Sequence, residues 1–120
     1  MNNDKLFLSV IVLLTTMQIG CGKNDEGREI PNWLEQGALV VDVRTPQEFA
    51  VEHYPGAINI PINDLHSHLG ELGPKQGKII LYCQSGGRSA RAKTILKEEG
   101  FTEVRDAGGI RNLFSVASQK

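Results

Sequence analysis

The chain has 120 residues and a formal net charge of -1, with 13 basic and 14 acidic side chains interspersed along it. That length fits one compact domain of about 100 residues with a short appendage and excludes two independent hydrophobic cores. The near-neutral charge supplies no basic field of the kind that holds a protein on nucleic acid.

The N-terminus opens with Lys5 and the apolar run LFLSVIVLLTTMQI, followed at once by Gly20, Cys21 and Gly22. The run is shorter than the roughly 18 to 20 apolar residues that span a bilayer, so residues 1–20 read as an export signal rather than a membrane helix. Gly20 before Cys21 resembles the lipobox of bacterial lipoproteins, which makes Cys21 a candidate lipidation site and a point of membrane attachment. Gln18 departs from that pattern, and cleavage after Gly22 would instead release a soluble protein. Both routes place the protein in a bacterial cell envelope or periplasm, and both leave Cys83 as the only thiol of the mature chain. The polar stretch over 21–29 reads as a tether, and 30–120 as the domain.

From Ile30 onward short apolar runs alternate with amphipathic stretches, the rhythm of an α/β domain. Ala38–Val43 and Lys78–Tyr82 are nearly continuous apolar runs, as expected of strands covered on both faces of a parallel sheet. Ala57–Ile60 and Glu103–Arg105 are shorter strand candidates. Thr45 followed by Pro46 predicts an N-cap and first turn of a helix through about Val51. Asn63 or Asp64 is expected to cap a second helix with Leu65, Leu69 and Leu72 on one face, broken early by Gly70 and Gly73. A third helix is predicted over Ser89–Glu99 with Gly100 as its stop, and a closing helix over Ile110–Ala117. Trp33 and Phe49 read as packing residues. His66 and His68, two apart, point to different sides of a helix, so no metal site is expected there.

The segment from Lys78 to Ser89 runs from strand to Cys83, through Gln84, Ser85, Gly86, Gly87 and Arg88, and into a helix. Paired glycines let successive N–H groups turn inward, and the helix start adds its own unpaired donors, so the loop forms a nest for an anion. A cysteine at the mouth of such a nest, with Arg88 nearby, is biased toward its charged form. The same donors stabilise a persulfide anion, and no histidine base is required. The competing reading is that Cys83 is a small hydrophobe at a strand end and the glycines make an ordinary turn.

LVVDVRTPQEFAVEHYPGAINIP, residues 39–61, together with LYCQSGGRSA, residues 81–90, resembles the single-domain rhodanese, or thiosulfate sulfurtransferase, family. The resemblance covers about 30–113 and implies a mainly parallel five-stranded twisted sheet flanked by helices. It implies that Cys83 takes the outer sulfur of thiosulfate as a persulfide and passes it to cyanide or a thiol, with no cofactor. Arg88 would bind the donor anion, and the amides of Gln84 through Ser89 would line its cradle. Asp42, Arg44, Glu48 and His53 match family positions and are expected to support the site rather than react. Ala107 and Leu113 stand where Leu and Trp are common, so the pocket rim there is expected to differ.

Two other classes compete. Cysteine phosphatases and arsenate reductases of related fold place five residues between Cys and Arg, whereas four separate Cys83 from Arg88, a ring better sized for one sulfur atom. A persulfide carrier or sensor with protein partners would use the same loop without thiosulfate as its true donor.

Overall fold

The structure, a computed structural model, describes residues 25–119. The export signal over 1–20 and the candidate lipidation site Cys21 lie outside the described residues. Among those described, no helix is long and apolar enough to cross a membrane. The elements are helix α1 (Asp25–Glu35), strand β1 (Leu39–Asp42), helix α2 (Pro46–Val51), strand β2 (Ile58–Asn59), a 3₁₀ segment (Ile62–Leu72), strand β3 (Ile79–Cys83), helix α3 (Gly87–Glu98), strand β4 (Val104–Gly109) and helix α4 (Ile110–Ala117).

The strands form one parallel sheet in the order β2-β1-β3-β4. Four strands are therefore present among the described residues, where the family resemblance implied five. The central pair is in register from Leu39 opposite Ile79 to Asp42 opposite Tyr82. All five residues of β3 are buried, which explains its unbroken apolar sequence: both of its faces are covered.

Alternation along the central strands sorts side chains into two cores. Val41, Leu81 and Cys83 point to one face, where Ile60, Leu65, Leu72, Ala92 and Leu96 from the 3₁₀ segment, α3 and neighbouring chain cover them. Val40, Ile80 and Tyr82 point to the other, packed by Ile30, Trp33, Ile110 and Leu113 of α1 and α4. Ala107 and Leu113, which stand where the family commonly has Leu and Trp, are both buried in this second core. Trp33 packs as expected, with the Arg105 guanidinium 4.5 Å above its ring, whereas Phe49 is half-buried and stacks on His53.

Helix α2 starts where Thr45 and Pro46 predict, with a capping box between the Thr45 hydroxyl and Glu48. The second helix differs from expectation. It winds as a 3₁₀ segment from Ile62 after Pro61, without a side-chain cap, and its backbone breaks at His68. Leu65 and Leu72 still reach the core, because burial of those two side chains, rather than helix propensity, holds the segment down.

The tether reading fails from residue 25 onward, where α1 begins. Glu26 pairs with Lys93 of α3, and Glu29 with Arg105 of β4 at 2.7 Å, while Ile30 is fully buried. The polar stretch is the outer face of a packed helix whose partners lie more than sixty residues away. Ile30→Ala is expected to destabilise the protein by about 2–4 kcal/mol in urea unfolding; an unchanged midpoint would show that α1 contributes nothing to the fold.

Candidate active site

Cys83 ends β3, and the chain turns through Gln84 and Ser85 to Gly86, whose φ of 107° lies in the left-handed region. Only glycine adopts that conformation without strain, and it turns the Gly86 N–H back onto the preceding strand end. The Gly86 amide donates to the Cys83 Sγ at 3.0 Å. Helix α3 begins at Gly87, two residues before the predicted start, so Arg88 and Ser89 belong to its first turn.

The loop leans on the end of β4. An added Cβ at Gly109 would lie 2.6 Å from the Gln84 carbonyl oxygen, a distance no side chain tolerates. Gly109 also sits opposite Cys83 in the register, after an irregularity that follows Leu81. Ser89 is buried, and its hydroxyl donates to the Gly86 carbonyl at 3.1 Å and approaches that of Gly108 at 3.4 Å. The thiol reaches the Ser89 oxygen at 3.5 Å.

Cys83 has no solvent-exposed surface, so it lies beneath the loop rather than at its mouth. Burial alone pushes the thiol up. The Ser89 hydroxyl and the backbone amides of Ser89, Gly86 and Ser85 outweigh it and leave the thiol below its ordinary value. The amides of the loop face the sulfur.

Asp42 and Arg44 form a buried pair at 2.7 Å, with Asp42 also accepting from the Arg44 Nε and backbone N–H. This pair raises the Arg44 guanidinium above its usual value. Arg44 also donates to the Gln84 side chain at 2.9 Å and to the Glu52 carbonyl, and lies 5.5 Å from the centre of the Tyr82 ring. Asp42 and Arg44 thus tie β1, the end of α2 and the sulfur loop to one another.

Arg88 makes a two-bonded pair with Glu48, at 2.7 and 3.0 Å. Those bonds hold the Glu48 carboxyl down to about 2 and raise Arg88. Arg88 is near enough to Cys83 and Arg44 for their charges to act on it, yet its hydrogen bonds are given to Glu48. His53 stands apart: it stacks on Phe49 with ring centres 3.8 Å apart and bonds the Phe49 carbonyl through Nδ1. It closes the end of α2.

Asn59 was missed from the sequence. Its amide donates to the carbonyls of both Asp42 and Arg44, holding the strand end from which Arg44 projects. The available signal was a single polar side chain within the run Ala57–Ile60. The Tyr82 hydroxyl, which accepts from the Tyr54 N–H at 2.9 Å, was hidden in an apolar strand.

Residues 27–113 match the family described as Rhodanese-like domain. The chain is 39% identical over 74 residues to thiosulfate sulfurtransferase PspE of Escherichia coli, covering 61% of this chain and 71% of that protein. It is 40% identical over 88 residues to the chloroplastic thiosulfate sulfurtransferase 16 of Arabidopsis thaliana, covering 61% and 70%. Among solved structures, a human single-domain sulfurtransferase superposes with a TM-score of 0.66 at 28% identity, covering 73% of this chain and 91% of that one. A rhodanese with anions from E. coli gives 0.60 at 37% identity, covering 62% and 89%.

Two outcomes test the site's construction. Asp42→Asn is expected to cost about 3–5 kcal/mol in urea unfolding, because it leaves the buried Arg44 charge uncompensated. Ser89→Ala removes the hydroxyl that can turn from the Gly86 carbonyl onto the sulfur once the thiol ionises, so the thiolate ultraviolet absorbance should titrate at higher pH than in the unchanged protein. Since the folded thiol ionises more readily than the unfolded one, its contribution to stability is present above the ordinary cysteine range of about 8.5 and is lost as pH falls through the lowered folded value. With the sulfur loop, its donors and its relatives together, the chain belongs to the single-domain rhodanese-like sulfurtransferase family.

Proposed function

We propose that the protein transfers sulfane sulfur from thiosulfate, or a related anionic donor, to a thiophilic acceptor through a persulfide on Cys83. The observation that carries this reading is the Gly86 N–H aimed at a Cys83 sulfur whose thiol is held below its usual range. Relatives that are named thiosulfate sulfurtransferases support the choice of donor.

In the first half-reaction the Cys83 thiolate attacks the outer sulfur of thiosulfate. The sulfur–sulfur bond of the donor breaks, and sulfite leaves with its electron pair. The new terminal sulfur carries the negative charge, and the amides of Ser85, Gly86 and Ser89 stabilise it as they stabilise the thiolate. In the second half-reaction cyanide or a thiolate attacks that terminal sulfur. Thiocyanate or a new persulfide departs, and the Cys83 thiolate is restored.

Because the sulfur is covered at rest, the Gln84–Arg88 side of the loop must yield for a donor to enter. Gln84 and Ser85 are exposed and face the side from which a donor would come. The reaction takes place in the cell envelope, with residues 1–20 as export signal and Cys21 as lipid attachment point; incorporation of labelled fatty acid that disappears in Cys21→Ser tests the attachment.

Incubation with thiosulfate should add one sulfur to the intact mass, and thiocyanate should form with cyanide as acceptor. Cys83→Ser should abolish both, and Arg88→Ala should raise the KM for thiosulfate about tenfold. Turnover that persists in Cys83→Ser would remove the mechanism.

A further inference from the structure

The charges around the sulfur loop are matched one for one. The Arg44 guanidinium is paired with Asp42, and the Arg88 guanidinium with Glu48. The two pairs differ in depth. Asp42 and Arg44 are sealed, with 0% and 3% of their side chains exposed, whereas Glu48 and Arg88 remain 30% and 33% exposed. A sealed pair is a fixed part of the fold, while a half-exposed pair can exchange partners with an incoming anion.

Glu48 is itself held. Its Oε1 accepts from the Thr45 N–H at 3.1 Å and from the Thr45 hydroxyl at 3.2 Å, while its own N–H donates to that hydroxyl. The carboxylate is thus anchored to the first turn of α2, on a different element from the loop that it faces. With both its oxygens on the two terminal nitrogens of Arg88, it occupies the geometry that an anionic donor would need.

We infer that Glu48 is a specificity-determining residue: it competes with the donor for Arg88 and thereby lowers the site's preference for doubly charged donors over singly charged ones. This inference rests on the sulfur-transfer reading above and extends it to the charge class of the substrate. The carboxyl's downward shift to about 2 keeps Glu48 ionised, and the competition constant, across the working pH range. A donor must therefore displace a carboxylate, and a dianion also meets its repulsion. A singly charged donor meets less of it, so the penalty that Glu48 imposes is smaller for a monoanionic sulfur species than for a dianionic one.

The test is Glu48→Gln. Glutamine at this position of a capping box still reaches back to the Thr45 N–H, so α2 keeps its start. The KM for thiosulfate, a dianion, should fall by about three- to tenfold, and that for methanethiosulfonate, a monoanion with the same transferable outer sulfur, should fall less. Adding Arg88→Ala should remove the part of each gain that comes from freeing Arg88 and leave only the smaller relief of repulsion on the dianion. A KM for thiosulfate that rises in Glu48→Gln would show that Glu48 orients Arg88 for the donor, and an unchanged ratio between the two donors would show that it sets no charge preference; either overturns the inference. Sulfate affinity, measured by calorimetry on Cys83→Ser with and without Glu48→Gln, reads the same competition without turnover. A rise there combined with no sulfite release by the unchanged protein would sink the sulfur-transfer reading and leave the role of Glu48 standing.

Discussion

The buried pair of Asp42 and Arg44 is the interaction on which the rest of the site depends. Charges removed from water are tolerated only when every donor and acceptor is satisfied. Here Asp42 takes three donors from Arg44's side chain and backbone, and Arg44 gives two further hydrogens to the Gln84 side chain and the Glu52 carbonyl. Asn59 closes the backbone carbonyls at the same corner. One guanidinium therefore joins the end of β1, the exit of α2 and the loop beyond Cys83, and the strand order places all three at the carboxyl end of a parallel sheet. That end is where open α/β sheets leave a crevice between neighbouring strands.

The sulfur loop solves a different problem. A buried thiol ordinarily resists ionisation, because its anion loses water and gains nothing. The sequence Gln-Ser-Gly-Gly bends the chain so that peptide hydrogens replace the lost water, and Ser89 adds a hydroxyl from the first turn of α3. The close approach of Gly109 to the Gln84 carbonyl keeps the bend in place from the far side. The arrangement is made of backbone more than of side chains, which suits it to thiolate and persulfide alike, since each presents a single anionic sulfur.

Around this core the two arginines have separate duties. Arg44 is fixed and structural in its contacts, one of which is to the Gln84 side chain directly after Cys83. Arg88 is half-exposed and has a partner of the same chemical kind as a donor anion. Matching each cation with a carboxylate leaves the mouth of the site without net positive charge. The anion-stabilising power is thereby concentrated at the amides, directly where the sulfur sits, instead of being spread over the surface.

Much of this was legible in the chain itself. The nearly continuous apolar runs at Ala38–Val43 and Lys78–Tyr82 indicate covered parallel strands, because burial on both faces demands that pattern. Thr45 and Pro46 marked the start of α2, and the order strand, cysteine, paired glycines, arginine, helix located the reactive loop, since these are local requirements of backbone geometry and dipole direction. What depended on distant partners was not legible. The polar stretch after Lys23 gave no local sign that Glu26 and Glu29 meet Lys93 and Arg105, so a packed helix was read as a tether. Neither the depth of Cys83 nor the allotment of Glu48 to Arg88 is marked by neighbouring residues. Sequence by itself determined the local turns, the strand periodicity and the place of the candidate nucleophile at a strand end before paired glycines, because neighbouring residues set these. Only the tertiary structure decided which charge neutralises which and how far the sulfur lies from water, because Coulomb energy and burial depend on distances between residues that the chain brings together only when it folds.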